Sequence, residues 1–212
     1  MKKVGVIDID GTITNLNYYT FFKKSSLIDF DISHSNKKIL RLQLYKITLI
    51  YSRIIKMRLY VKIALNELKK RGIEINLLTK RPFAFEDTHE GNIIKEIIKM
   101  SLDINEIPYD NIYYTDGDKL IECMDLNADI IIEDSPKNIS FLANYLPVIV
   151  INTPYNKHIN GFNIYRANNW LDVITIVDKL YEKKKSPKTL KWLSSSLPLG
   201  CGIYYRILFY SL

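Results

Sequence analysis

Two aspartates separated by one residue, Asp8 and Asp10, close an apolar run near the start of the chain and are followed at once by Gly11 and Thr12. Later apolar runs end in the same way, in Thr79-Lys80-Arg81, in Thr115-Asp116 and in Glu133-Asp134. Short apolar runs of this kind read as strands buried on both faces. Doubly wound sheets collect their ligands at the carboxyl ends of such strands. The pattern therefore brings acids from distant segments to one rim, together with Lys119. Clustered carboxylates repel each other unless a cation sits among them. Oxygen ligands suit a hard ion such as Mg2+, which keeps several waters and pairs with a substrate phosphate. A lysine in the first turn of a helix opposes the helix dipole unless an anion is near.

The elements that must position these residues are legible in outline. Lys3–Asp8 reads as a buried strand, and Gly11 allows a tight turn after it. Apolar residues from Ile39 to Ile55 recur near helical period, with basic residues between them. Leu59–Lys70 continues as helix, and Gly72 suits its C-terminal cap. Ile73–Leu78 is a second strand. Asp87 or Thr88 caps a helix through Ile93, Ile94, Ile97 and Ile98. Asn111–Tyr114 is a strand, and Asp118 caps a helix over Lys119–Leu126. Ala128–Ile132 is a strand, and Ser135-Pro136 opens a helix over Lys137–Tyr145, with serine as cap and proline in the first turn. Pro147–Ile151 and Asn163–Arg166 are strands, and Asn168 or Asn169 caps Trp170–Lys184. Alternation of strand and helix from Ile73 onward implies an α/β fold, a doubly wound parallel sheet covered on both faces. The helical stretch between the first two strands is longer than a normal crossover, so part of it is an insertion above the sheet.

Asp8-Ile9-Asp10-Gly11-Thr12 resembles the DxDGT signature of the haloacid dehalogenase superfamily of phosphatases and phosphotransferases. Thr79, Lys119 and Glu133-Asp134 follow in the order and contexts of the other signature elements, so the resemblance covers about residues 1–180. Thr79-Lys80-Arg81-Pro82, Glu133-Asp134-Ser135-Pro136-Lys137-Asn138, Pro154-Tyr155-Asn156 and Asn168-Asn169-Trp170 are similar to bacterial proteins grouped with the 5′(3′)-deoxyribonucleotidases. The resemblance implies a Mg2+-dependent phosphomonoester hydrolase working through an aspartyl-phosphate. Asp8 is then the nucleophile. Asp10 is the acid and base, with its backbone carbonyl on the metal. Thr79, with Lys80 beside it, holds phosphoryl oxygens, and Lys119 supplies countercharge. Asp134 completes the metal shell, and Glu133 joins it directly or through water. Lys80 and Arg81 read equally well as solvated surface charges.

The resemblance also makes residues 13–58 a small helical cap, with residues 1–12 and 59–182 as the core and 183–212 as a basic and apolar tail. A cap of this kind excludes water and selects the leaving group. Its basic and aromatic residues (Tyr18, Tyr19, Phe21, Phe22, Tyr45, Tyr51) fit a small phosphorylated substrate with a stackable base, such as a (deoxy)nucleoside 5′-monophosphate, and serve equally as cap core. A sugar or polyol phosphate is the alternative substrate. The tail holds Lys183, Lys184, Lys185, Lys188, Lys191 and Arg206 with no acid, so most of the net charge of +7 lies there. It offers a second function class, assembly through a homodimer or another protein partner. Stable nucleic-acid binding is not expected.

Composition sets the outer limits. With 212 residues, 47% hydrophobic and 25% charged, the chain is long enough for one core with an insertion and is neither disordered nor fibrous. Two cysteines, Cys123 and Cys201, make neither a disulfide framework nor a four-ligand zinc site. The basic, apolar N-terminus is broken by Asp8 and Asp10, which argues against secretion. No apolar run is long enough for a membrane span, and a reducing cytoplasm is the expected setting. His34, His89 and His158 receive no role.

Overall fold

The structure is a computed structural model that describes residues 3–15 and 37–185. The segment carrying Tyr18, Tyr19, Phe21 and Phe22 and the tail from residue 186 lie outside the described residues. The chain divides into two units, Met1–Lys179 and Leu180–Leu212. The second is described only over residues 180–185, the end of the last helix.

Six strands form one parallel sheet: β1 (Lys3–Asp8), β2 (Ile73–Thr79), β3 (Asn111–Tyr114), β4 (Ile130–Glu133), β5 (Val148–Ile151) and β6 (Ile164–Ala167). Their spatial order is β3-β2-β1-β4-β5-β6. The chain winds outward from β1 to β3, then returns past β1 and winds the other way. The switch lies between β1 and β4, where a crevice at the strand ends must open. Val6 and Ile7 of β1, Leu77 and Leu78 of β2, and all of β4 and β5 are buried. Strands buried on both faces need helices on both sides.

Those helices are α1 (Lys37–Ile54), α2 (Val61–Lys70), α3 (His89–Ile104), α4 (Lys119–Asp125), α5 (Pro136–Leu142) and α6 (Trp170–Lys185). Several starts and stops obey their expected chemistry. Gly72 takes φ +73° just past α2. Thr88 accepts from the Gly91 N–H at the start of α3, and Asp118 accepts from Leu120 N–H at the start of α4. Asn169 accepts from the N–H groups of Leu171 and Asp172. The Ser135 hydroxyl makes no capping bond. The Ser135 N–H donates to Glu133 Oε1.

The insertion leaves and rejoins the core through a short antiparallel neck. Thr14 bridges Met57, Asn15 N–H donates to Lys56 carbonyl (2.9 Å), and Arg58 N–H donates to Ile13 carbonyl (2.7 Å). The described helix between β1 and β2 is α1. Its Tyr45 ring meets Phe83 edge-on at 5.5 Å, and its Arg41 guanidinium lies over the same ring and forks onto Glu86. These contacts hold α1 against the loop that follows β2.

Candidate active site

Sheet register assembles the first acids. Ile7 pairs with Ile132 and Asp8 with Leu78. One step further along each strand, Asp8 stands beside Glu133, and Thr79 lies just past Leu78. After β1 the chain makes one wide turn, Ile9–Ile13, with Gly11 at φ +88°. A side chain at Gly11 would put its Cβ 2.2 Å from Asp134 Oδ2. Glycine is thus required twice over, by backbone conformation and by the close approach of the Asp134 carboxylate.

Lys119 is the hub of one half of the site. Its ammonium donates to Asp8 Oδ1 at 2.5 Å and to Glu133 Oε2 at 2.9 Å, and all three side chains are buried. Burial works against the charge of Lys119, but Asp8 and Glu133 outweigh it and hold the ammonium above the ordinary lysine range. The same anions offset the cost of placing a lysine in the first turn of α4. Burial pushes the Asp8 carboxyl well up. Lys119 opposes that shift, and Glu133, Asp134 and Asp10 add to it. Glu133 is held on every side. Its Oε1 accepts from the N–H groups of Asp134 and Ser135, and its Oε2 accepts from Asn138 as well as Lys119.

Asp134 is fixed from three directions. Its Oδ1 accepts from the Thr12 hydroxyl at 3.1 Å, its Oδ2 accepts from the Tyr155 hydroxyl, and its backbone carbonyl accepts from Asn156 Nδ2 at 2.9 Å. The Trp170 indole N–H donates to the Thr12 carbonyl at 3.1 Å, tying the start of α6 to the same turn.

Asp10 organises the other half. Its Oδ1 accepts from the Tyr51 hydroxyl (3.1 Å) and from Arg81 NH2 (2.5 Å). Its Oδ2 accepts from the Thr79 hydroxyl (2.9 Å) and from Arg81 Nε (3.3 Å). Thr79 Oγ1 also accepts from the Arg81 N–H. Lys80 points away from this group, exposed, with its ammonium on the Gly117 carbonyl. Asp116, after the end of β3, is exposed, whereas Asp8, Glu133 and Asp134 are buried. Among the described residues, the carboxylates that could share an ion are Asp8, Glu133 and Asp134, whose oxygens lie within 4.8 Å of one another.

Residues 50–184 match the family described as 5′ nucleotidase, deoxy (pyrimidine), cytosolic type C protein (NT5C). The chain is also 30% identical over 187 residues to a nucleotidase from Clostridium acetobutylicum, covering 85% of this chain and 96% of that one. This chain belongs to the NT5C nucleotidase family. Solved structures agree on the fold. The D,D-heptose 1,7-bisphosphate phosphatase of Burkholderia thailandensis superposes with a TM-score of 0.53 at 11% identity, over 83% of this chain and 98% of that one. That of B. bronchiseptica, complexed with magnesium and phosphate, gives 0.52 at 11% identity, over 85% and 99%. The sheet is that of the haloacid dehalogenase superfamily, and the chain is a 5′-nucleotidase-like phosphatase.

This NT5C-family site carries more negative than positive charge. Asp8, Asp10, Glu133 and Asp134 outnumber Lys119, Arg81 and Arg58, whose guanidinium donates to the Gly11 and Thr14 carbonyls of the same turn. A divalent cation would offset that excess and let Asp8 stay ionised despite its burial. The donor set is all oxygen, which suits Mg2+. Sequence reasoning placed Arg81 at the rim but read it equally well as a surface charge, and gave it no role in the site. The one cue was its place two residues after Thr79, which returns a side chain to the same side of an extended segment. It likewise gave Tyr51 no partner and Trp170 no bond to the Thr12 carbonyl, because each acts on an element distant in sequence. No helix among the described residues is long and apolar enough to cross a membrane.

Proposed function

We propose that the protein is a Mg2+-dependent phosphomonoester hydrolase that acts through an aspartyl-phosphate on a small substrate, with (deoxy)nucleoside 5′-monophosphates preferred. The observation that carries this reading is the buried Asp8–Lys119–Glu133 chain beside Asp134. Asp8 would attack phosphorus with the oxygen that Lys119 leaves free. The bond from phosphorus to the ester oxygen breaks as the bond to Asp8 forms. Asp10 would give a proton to the departing oxygen, then take one from the water that attacks the phosphorylated Asp8. Release of inorganic phosphate restores both aspartates. Lys119 would neutralise charge on Asp8 and on the phosphoryl oxygens. The carboxylates of Asp8 and Asp134 and the carbonyl of Asp10 would hold the ion, with Glu133 joining them directly or through water. Mg2+ would supply Lewis-acid charge that lowers the repulsion between carboxylate and phosphate. Lys80, exposed at the rim, is assigned to the substrate rather than to the transferred group.

A panel of monoesters tests this reading. Wild type with Mg2+ should release phosphate from nucleoside 5′-monophosphates faster than from sugar phosphates, and chelation should stop it. Asp8→Asn should keep its melting temperature and lose at least ~1000-fold in turnover, as removal of a covalent nucleophile does. No phosphate from any monoester would defeat the proposal.

A further inference from the structure

Arg81 has an environment that stability alone does not explain. Its side chain is 2% exposed, and it lies between the core and the inserted helix. Nε and NH2 form a fork on the two oxygens of Asp10, at 3.3 and 2.5 Å. NH1 donates to Ser52 Oγ of α1 at 3.1 Å, and the guanidinium lies 5.2 Å from the centre of the Tyr51 ring, also on α1. Tyr51 sends its hydroxyl on to Asp10. Burying a guanidinium and a carboxylate costs about as much as their attraction returns, so such pairs are weak devices for stability. What a fork does supply is geometry, because a planar guanidinium fixes the plane of the carboxylate it grips.

We propose that Arg81 is a positioning residue for Asp10: its fork sets the plane of that carboxylate, and Ser52 and Tyr51 make the setting depend on the inserted helix. This inference rests on the function proposed above and deepens it. Asp10 acts on the departing oxygen, so an error in its plane matters in proportion to how badly that oxygen needs a proton. An alkoxide such as the 5′-oxygen of a nucleoside needs one. A nitrophenolate leaves without one. A residue that merely held the fold, or that bound phosphate, would affect both esters alike.

The test compares single-turnover release of the leaving group from a nucleoside 5′-monophosphate and from p-nitrophenyl phosphate. Wild type, Arg81→Lys, Arg81→Gln and Ser52→Ala are measured, with circular dichroism and melting temperature recorded for each. Loss of positioned acid catalysis is worth about 100-fold or more. Arg81→Lys and Arg81→Gln should therefore lose ~100-fold on the nucleotide and only a few-fold on p-nitrophenyl phosphate, with KM little changed. Ser52→Ala, which removes the bond from NH1 and leaves the fork on Asp10, should shift the ratio of the two rates in the same direction by less. It keeps the test alive if Arg81→Gln fails to fold. Equal losses on both esters, or a rise in KM with an unchanged rate, would overturn the inference while leaving the proposed function standing. A wild-type protein that cleaves neither ester removes both.

Discussion

Gly11 shows most sharply how little latitude the site allows at the scale of one residue. Its φ of +88° is left-handed, and its missing Cβ is what lets Asp134 approach. Gly11→Ala adds ~1 kcal/mol of backbone strain and forces Asp134 to move. A shift of about 1 Å at a reacting centre costs roughly 100-fold. The expected outcome is a modestly lower melting temperature with a turnover loss near that size, read from a thermal melt and a phosphate-release assay. An unchanged rate would mean that Asp134 is not needed where it stands. The motif itself was readable, because Asp-x-Asp-Gly-Thr straight after a buried strand is too specific for a plain turn. The role of Arg81 was not, because its burial comes from α1, whose packing no local pattern announces.

Helix α4 links the site to the core. It opens with Lys119 in the site, and one turn later presents Cys123 to a cluster with Val6, Leu78, Ile131 and Val148. Burial pushes the Cys123 thiol up to about 12; Lys119 resists that shift, and Glu122, Glu133 and Asp118 add to it. The sign of the pH effect follows. On unfolding the thiol ionises near its ordinary value of 9.0, whereas in the fold it stays protonated until about 12. Its contribution to stability is therefore complete below about pH 9 and falls as the pH rises toward 12. In a Cys201→Ser background, the urea midpoint should drop across that window by more than in the Cys201→Ser/Cys123→Ala protein. Equal drops would remove Cys123 as the cause. Element types came easily from sequence, since buried strands and amphipathic helices carry their periodicity with them. Ends came less easily: β4 runs to Glu133, one residue past the apolar run, because pairing with Val150 of β5 carries the acid into the sheet. Ser135 does stand at the cap position with proline behind it, although its hydroxyl makes no capping bond.

Across the whole molecule, the parallel order of strands is the device that gathers distant residues. β1 and β4 lie side by side only because the chain reverses its winding between them. That reversal puts Asp8 next to Glu133 and Asp134, and it brings Lys119 from the helix before β4 to the same rim. The alternation of elements implied the sheet but not which strands would touch, and register appears nowhere in composition or periodicity. Function at this scale reduces to whether Asp8 becomes phosphorylated. The most direct measurement is to quench a Mg2+-loaded reaction with a nucleoside 5′-monophosphate in acid, reduce it with borohydride and map the modified residue by peptide mass spectrometry. Homoserine is expected at Asp8, absent when Mg2+ is chelated and absent in Asp8→Asn. Substrate turned over with no modification at Asp8, or with modification elsewhere, would contradict a nucleophilic Asp8.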